Sequence, residues 1–442
     1  FYMKNKKWMA ILLGGIMAAS LAAPCSVSAA EKTTLTFWHA MGGTNGEVLQ
    51  QIVDDFNASQ DEIEIKAEYQ GTYDDTITKL KAAMQSDSGL PDVCQMYDVG
   101  TKFMYDSGAV IPVEDKFEST GYDKSSVMEV ISSYYTVDGK QYAMPFNVST
   151  PMLYYNKDVF EAAGLDPETP PTTYDEVLED AKKIVESGAA PVGYSQAIYG
   201  WFFEQQLAGL GVTYGNNDNG RKEAVTAVDF DSNGGGLKVF DMWKKLYDSG
   251  YFEDYGTTTA DTQTAFFSGQ VGMIIESTAI LKNAVDSSPF EVGTGYLPRI
   301  EQNDEGGVII GGGSLWLTDT GNEANEDAAW KFIEYITTPD VQAKWSMGTG
   351  YFAINEKAYE TEDMKAYLKE NPNFETAINQ LKDSPVNCNT AGVLSGVQTE
   401  ARLTFNEIMP QVYDGKLTTQ DAVDQLAASV NKAIENYNES IK

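Results

Sequence analysis

Between Thr33 and Tyr97 the hydrophobic pattern switches repeatedly between a period of two and a period near 3.6. That alternation limits this stretch to an α/β lobe built on a largely parallel sheet. Thr33, Leu35 and Phe37 alternate as a strand does and lead to Trp38-His39. After the turn Gly42-Gly43-Thr44-Asn45-Gly46, Val48, Leu49, Ile52, Val53 and Phe56 recur at helical spacing up to Asn57. Ile63 to Ala67 reads as a strand, Ile77, Leu80 and Met84 as a helix closed by Ser88-Gly89, and Pro91 to Tyr97 as a strand.

Farther along, Tyr142 to Asn147 and Met152 to Asn156 are extended stretches joined by Val148-Ser149-Thr150-Pro151. A helix-rich middle follows over Tyr174–Ser187, Val239–Tyr247 and Thr262–Ser268. Strand character then returns at Glu291–Leu297 and Val308–Leu317. Ala328–Ile336 and Thr419–Ile441 read as amphipathic helices. Strands that return after a helical middle imply a chain that crosses between two lobes more than once. Ligands of open α/β sheets sit beyond the carboxyl ends of strands, which singles out His39 to Gly43, Tyr97-Asp98 and Ser149. A cleft between lobes is a favoured place for such a site.

The first thirty residues read as an export leader rather than as part of the fold. Lys4, Lys6 and Lys7 precede an apolar run from Trp8 to Ala23, and Ser28-Ala29-Ala30 supplies small residues for cleavage before Glu31. The run is shorter than the roughly 20 residues a membrane span needs. Cys25 follows Pro24, where lipid-attachment signals resemble a small residue, so the sequence reads against lipidation. Beyond the leader only Cys94 and Cys388 remain; Cys94, in an apolar strand, is expected to be a buried free thiol. The formal charge of −34 disfavours nucleic acid and anionic membranes and suits a monomer that stays soluble outside the cytoplasm.

A set of short strings lies in one order along the chain: Phe37-Trp38-His39-Ala40-Met41, Gly71-Thr72-Tyr73, Gln95-Met96-Tyr97-Asp98-Val99-Gly100, Pro145 to Pro151 with Leu153 to Asp158, Gly164-Leu165-Asp166-Pro167, Ile309 to Trp316, and Thr349-Gly350-Tyr351. Together they resemble the family 1 extracellular solute-binding proteins of ABC importers, and most of all its glycerol-phosphate-binding members. The resemblance implies a two-lobed periplasmic-binding-protein-like fold of type II, with a ligand cleft between lobes joined by a hinge. Residues 31–146 with 293–338 are expected in lobe 1, and 147–292 with 339–442 in lobe 2. It implies a pocket lined by Tyr73, Asp98, Ser149, Trp201, Ser277, Gly312 and Tyr351, no cofactor, and a membrane permease as partner. Carboxylates and hydroxyls of that set can bond a sugar or polyol, and the rings can cover its C–H faces.

Two departures from the glycerol-phosphate pattern bear on the ligand. The stretch Gly392-Val393-Leu394-Ser395-Gly396 lacks the arginine expected there, and Ile198 stands where a first Trp would be, leaving Trp201. With Asp98 in the same pocket, a neutral or zwitterionic ligand is expected in preference to free glycerol phosphate.

Competing readings of single residues remain. Asp98 could serve only as a helix cap, Tyr73 as a turn aromatic, and Ser149 as a plain turn residue. Trp316, between Leu315 and Leu317, reads as core. Gly311-Gly312-Gly313 lacks the Lys and Thr that complete a phosphate-cradling loop. His39 is the only histidine, which leaves little room for metal or triad chemistry. The rival function is a secreted carbohydrate-active hydrolase.

Overall fold

The structure is a computed structural model, and it describes residues 32–86 and 89–441. The leader, Cys25 and Ser88 lie outside the described residues. Strands Thr33–His39, Ile63–Tyr69 and Val93–Tyr97 form where the period-two pattern places them, with Thr33–His39 parallel to both others. Helices Gly43–Ser59 and Tyr73–Met84 connect them, the second opened by a Thr72/Asp75 capping box. Strand Gly311–Thr318 then enters antiparallel to Val93–Tyr97, pairing Gly313 with Tyr97. Met144–Ser149 flanks it, and the sheet has six strands.

A second sheet of four strands orders Val292–Gly295, Pro151–Asn156, Val271–Ser277 and Val192–Ser195. The chain therefore leaves the first sheet after Ser149 and enters the second at Pro151, with Thr150 as the crossing. Thr150 is tied down from both sides. Its N–H donates to Thr278 Oγ1 at 3.1 Å, its carbonyl accepts from Thr278 N at 2.8 Å, and its hydroxyl oxygen accepts from Gln380 Nε2 at 3.3 Å. A second crossing runs between Gly295 and Gly311, and a third between helix Asn373–Asp383 and helix Gln398–Tyr413. This is the two-lobed type II arrangement.

The sheets divide the chain differently from the expected lobe boundaries. Strand Met144–Ser149 runs through the expected break at 146/147, and strand Val292–Gly295, of the second sheet, runs through the one at 292/293. Helix Pro339–Thr349, expected in lobe 2, packs on Gly43–Ser59 and buries Trp345 with Phe146 and Phe352 of the first lobe's core. Apolar spacing marks a buried face; it does not reveal which lobe buries it.

The cores are aromatic-rich and closely packed. Trp316 is fully buried in the first, while Trp243, Phe203 and Phe405 pack together in the second. Cys94 is free and buried, and burial pushes its thiol up to about 12. His39 is buried as well; its Nδ1 accepts from Met41 N at 3.3 Å, and burial lowers its pKa to about 4. No helix among the described residues is long and apolar enough to cross a membrane.

Candidate functional site

Where the two sheets meet, strand ends bring polar and aromatic groups together. Tyr73 is the first residue of its helix, directly after the capping Thr72. Its hydroxyl accepts from Asn147 Nδ2 at 2.7 Å, and its ring stacks on Tyr97 at 5.2 Å. Asn147 is held in turn by Gln95, whose Nε2 donates to Asn147 Oδ1 at 2.6 Å. Tyr351, stacked on Trp345 at 5.5 Å, brings a second hydroxyl beside Tyr73 and Asn147. Burial first, then the neighbouring Tyr351 hydroxyl, raise the Tyr73 pKa well above the ordinary phenol range.

Glycines let the backbones meet here. Gly312 has φ +89°, and a Cβ on it would lie 1.8 Å from the Asn147 carbonyl oxygen. A Cβ on its neighbour Gly311 would lie 2.6 Å from the Trp201 ring, so the indole packs closely against this strand. Gly311 pairs with Ser149, which is buried at the start of the crossing. Trp201 Nε1 is buried without a hydrogen-bond partner among the described residues. Ser277 closes its strand, caps the following turn through Ala279 N at 3.1 Å, and its carbonyl accepts from Tyr154 Oη at 2.7 Å.

At the centre stands a residue that the sequence analysis missed. Arg402 Nη2 donates to Asp98 Oδ2 at 2.8 Å and to Glu204 Oε2 at 2.7 Å, and its Nε donates to Glu204 Oε1 at 2.8 Å. Gln398 Nε2 donates to the same Glu204 oxygen at 2.7 Å, and the guanidinium sits 6.0 Å from the Tyr199 ring centre. Asp98 directly follows strand Val93–Tyr97 of the first lobe, whereas Glu204 and Arg402 stand on helices of the second, so the ion pair spans the cleft. The stretch Gly392–Gly396 holds no arginine, yet a basic residue reaches the pocket from elsewhere. The guanidinium comes from helix Gln398–Tyr413, beyond the stretch Gly392–Gly396 where an arginine was sought.

The sequence builds this position by close helix packing. A Cβ on Gly200 would lie 2.5 Å from the Arg402 Cα, so only glycine allows the two helices to approach. Gly200 N also donates to Asn406 Oδ1 at 2.9 Å. Burial works against the Arg402 charge, but Asp98 and Glu204 more than offset it and hold the pKa well above the usual arginine value. Burial raises Glu204, and Arg402 counters it only in part. Nearby Glu276, bonded by Gln263 Nε2 and Ser277 N, is pushed up to about 7 by burial.

Asn147 and Gly311 connect Tyr73, Tyr351, Gly312, Ser149 and Trp201, and Arg402 bonds Asp98, while Ser277 pairs with Pro151 in the second sheet. Arg402, Glu204, Asn147 and Tyr199 join them. The arrangement offers a cation with two carboxylates, several hydroxyls and flat rings. These are groups that grip a small polar solute.

Comparison with known proteins agrees with this chemistry. The family model for bacterial extracellular solute-binding proteins matches residues 51–376. The sn-glycerol-3-phosphate-binding periplasmic protein UgpB of Escherichia coli K12 is 31% identical over 417 residues, covering 93% of this chain and 94% of that protein. The cyclic α-maltosyl-1,6-maltose-binding protein of Arthrobacter globiformis superposes with a TM-score of 0.76 at 25% identity, over 92% of this chain and 100% of that one. UgpB of Mycobacterium tuberculosis, solved with glycerophosphocholine, superposes with a TM-score of 0.79 at 20% identity, over 92% of this chain and 99% of that one.

Proposed function

Because this chain belongs to the bacterial extracellular solute-binding proteins and is the binding component of an ABC importer, we propose that the solute it captures is a phosphate ester of glycerol. The observation that carries this reading is Arg402, buried between Asp98 and Glu204 where the lobes meet. A guanidinium fork matches phosphate oxygens, and Nη1 takes no protein partner among the described residues. The charge balance narrows the ester. One cation faces two carboxylates, so a dianionic monoester meets more repulsion than a singly charged diester. Tyr73, Asn147, Tyr351 and Ser149 are suited to the glycerol hydroxyls, and Trp201 to its carbon face.

Binding proceeds by hinge motion about the three crossings. Ligand enters as Asp98 and Arg402 part, and contacts to both lobes then favour closure. The closed form delivers the ligand to the permease. The chain acts as an exported monomer without enzymatic activity and without affinity for nucleic acid. In keeping with this reading, its homologues are substrate-binding proteins rather than enzymes.

A second reading, a neutral oligosaccharide ligand, draws on the carboxylates and rings and on the structural likeness to a maltooligosaccharide binder. Thermal unfolding with a panel of sn-glycerol 3-phosphate, glycerophosphocholine and maltooligosaccharides separates the two. A ligand near a thousand times its Kd adds roughly 4 kcal/mol to the native state. A shift with the esters supports the proposal, and a shift with sugars alone overturns it. Recovery of hydrolysed products would favour the secreted hydrolase.

A further inference from the structure

Away from the cluster, a second arginine bridges the lobes in an unusual way. Asn217, Asp218 and Asn219 have φ of 57°, 54° and 58°, and Gly220 follows at 76°. They form one left-handed turn, a conformation that Asn, Asp and Gly tolerate but that still costs energy. Asn219 anchors it. Its Oδ1 accepts from Tyr214 N at 2.8 Å and Gly215 N at 2.9 Å, its Nδ2 donates to Cys388 O at 3.0 Å, and its carbonyl accepts from Leu394 N at 2.8 Å. The turn thus fastens the third crossing segment to the second lobe and delivers Arg221 at its end.

Arg221 makes no ion pair among the described residues. Its donors end on main-chain carbonyls: Nε on Gly392 at 3.0 Å, Nη2 on Ala391, and Nη1 on Tyr134 at 2.8 Å. The guanidinium also lies over the Tyr134 ring, 5.0 Å from its centre. Gly392, with φ +70°, admits that ring; a Cβ on it would lie 3.1 Å from Tyr134 Cε2. Tyr134 belongs to the first lobe's core, while Gly392 and Ala391 lie on the crossing. The Tyr134 carbonyl and ring are therefore the first-lobe groups that Arg221 holds.

We propose that Arg221 is a positioning residue that sets the balance between open and closed lobes and so tunes affinity without touching the solute. Its contacts with Tyr134, made across the lobes, stabilise only the closed arrangement and need no ligand to form. A contact made only in the binding-competent state lowers the apparent Kd for any solute by the same factor. Tyr134 is a neighbour of both: Arg221 lies over its ring, and after burial Asp98 is the next influence raising its hydroxyl pKa. This inference rests on the hinge-closure reading above.

The test compares wild type with Arg221→Ala and Arg221→Lys. Small-angle scattering is recorded without ligand, and calorimetric titrations use sn-glycerol 3-phosphate and glycerophosphocholine. Lysine keeps the charge but not the fork, and it carries the test if the alanine variant does not fold. Both variants are expected to be more extended than wild type without ligand and to bind both esters on the order of tenfold more weakly, by one common factor. Unchanged scattering, a factor that differs between the esters, or wild-type affinity in Arg221→Lys would overturn the proposal. If wild type binds neither ester, the ligand reading fails, and the ligand-free scattering alone decides the role of Arg221.

Discussion

Arg402 reaches across the cleft to Asp98 at 2.8 Å while Glu204, on its own lobe, holds the other edge of the guanidinium. All three side chains are less than a tenth exposed. The bridge therefore works both as a closure contact and as a charge balance within the site.

Arg402→Ala leaves two buried carboxylates without their cation. Breaking such a buried pair costs about 3–5 kcal/mol, so this variant is expected to melt several degrees lower as well as to lose ester binding. Arg402→Lys keeps the charge without the fork and should recover most of the melting temperature but little of the affinity. Differential scanning calorimetry beside a binding titration reads both effects.

The buried ionisable groups make opposite contributions to stability across mildly acidic pH. Glu276, pushed up to about 7, stays protonated in the fold, so its contribution is complete below about pH 4.5 and is lost as pH rises to about 7. His39, lowered to about 4, stays neutral, so its contribution is complete above about pH 6.5 and is lost as pH falls to about 4. Each amounts to about 3 kcal/mol over its window. Between pH 5 and 6.5 the two slopes oppose each other. Glu276→Gln should make stability climb more steeply with pH than wild type does, and His39→Gln should tilt it the other way. Urea unfolding across that range measures the slopes; parallel curves for all three proteins would refute the assignment.

Gly312→Ala and Gly311→Ala should separate fold from site. At Gly312 the added carbon meets the Asn147 carbonyl and a left-handed backbone, which should cost about 3 kcal/mol or more. At Gly311 the carbon meets only the Trp201 ring, which can move, so ester affinity should fall more than the melting temperature does. Titration and thermal melts of the two variants, run side by side, check the contrast.

Tyr73→Phe and Tyr351→Phe each remove one hydroxyl beside Asn147. Each should weaken ester binding by about 1 kcal/mol with little change in stability. Because they share a partner, the double variant should depart from the sum. Strict additivity would place the two hydroxyls in independent roles.

Much of this architecture could be read from spacing alone. Helix Tyr174–Ser187 has the bounds its pattern predicts, and the first three strands lie within a residue or two of theirs. Helix Gln398–Tyr413 was not legible, since Pro410 stands inside it and argues against a helix, and its polar face carries the buried Arg402. Strand Val271–Ser277 carries no alternating pattern, because nearly every residue of it is buried. Of the site, the resemblance pointed to residues within or beside short collinear strings, among them Tyr73, Asp98 and Gly312. Arg402 lies inside helix Gln398–Tyr413, several residues beyond the stretch Gly392–Gly396. The signal that would have found it is the pairing of Gly200 with a basic residue on a facing helix, which only the packing reveals.

The measurement that bears most directly on the central claim is a calorimetric titration of glycerophosphocholine and sn-glycerol 3-phosphate into the wild-type protein and into Arg402→Ala, with maltose as the neutral control. The account predicts that wild type binds the esters, the diester more tightly, and that Arg402→Ala weakens both by about a hundredfold, which is roughly 2.7 kcal/mol. Binding of maltose but neither ester, or ester binding indifferent to Arg402, would contradict it.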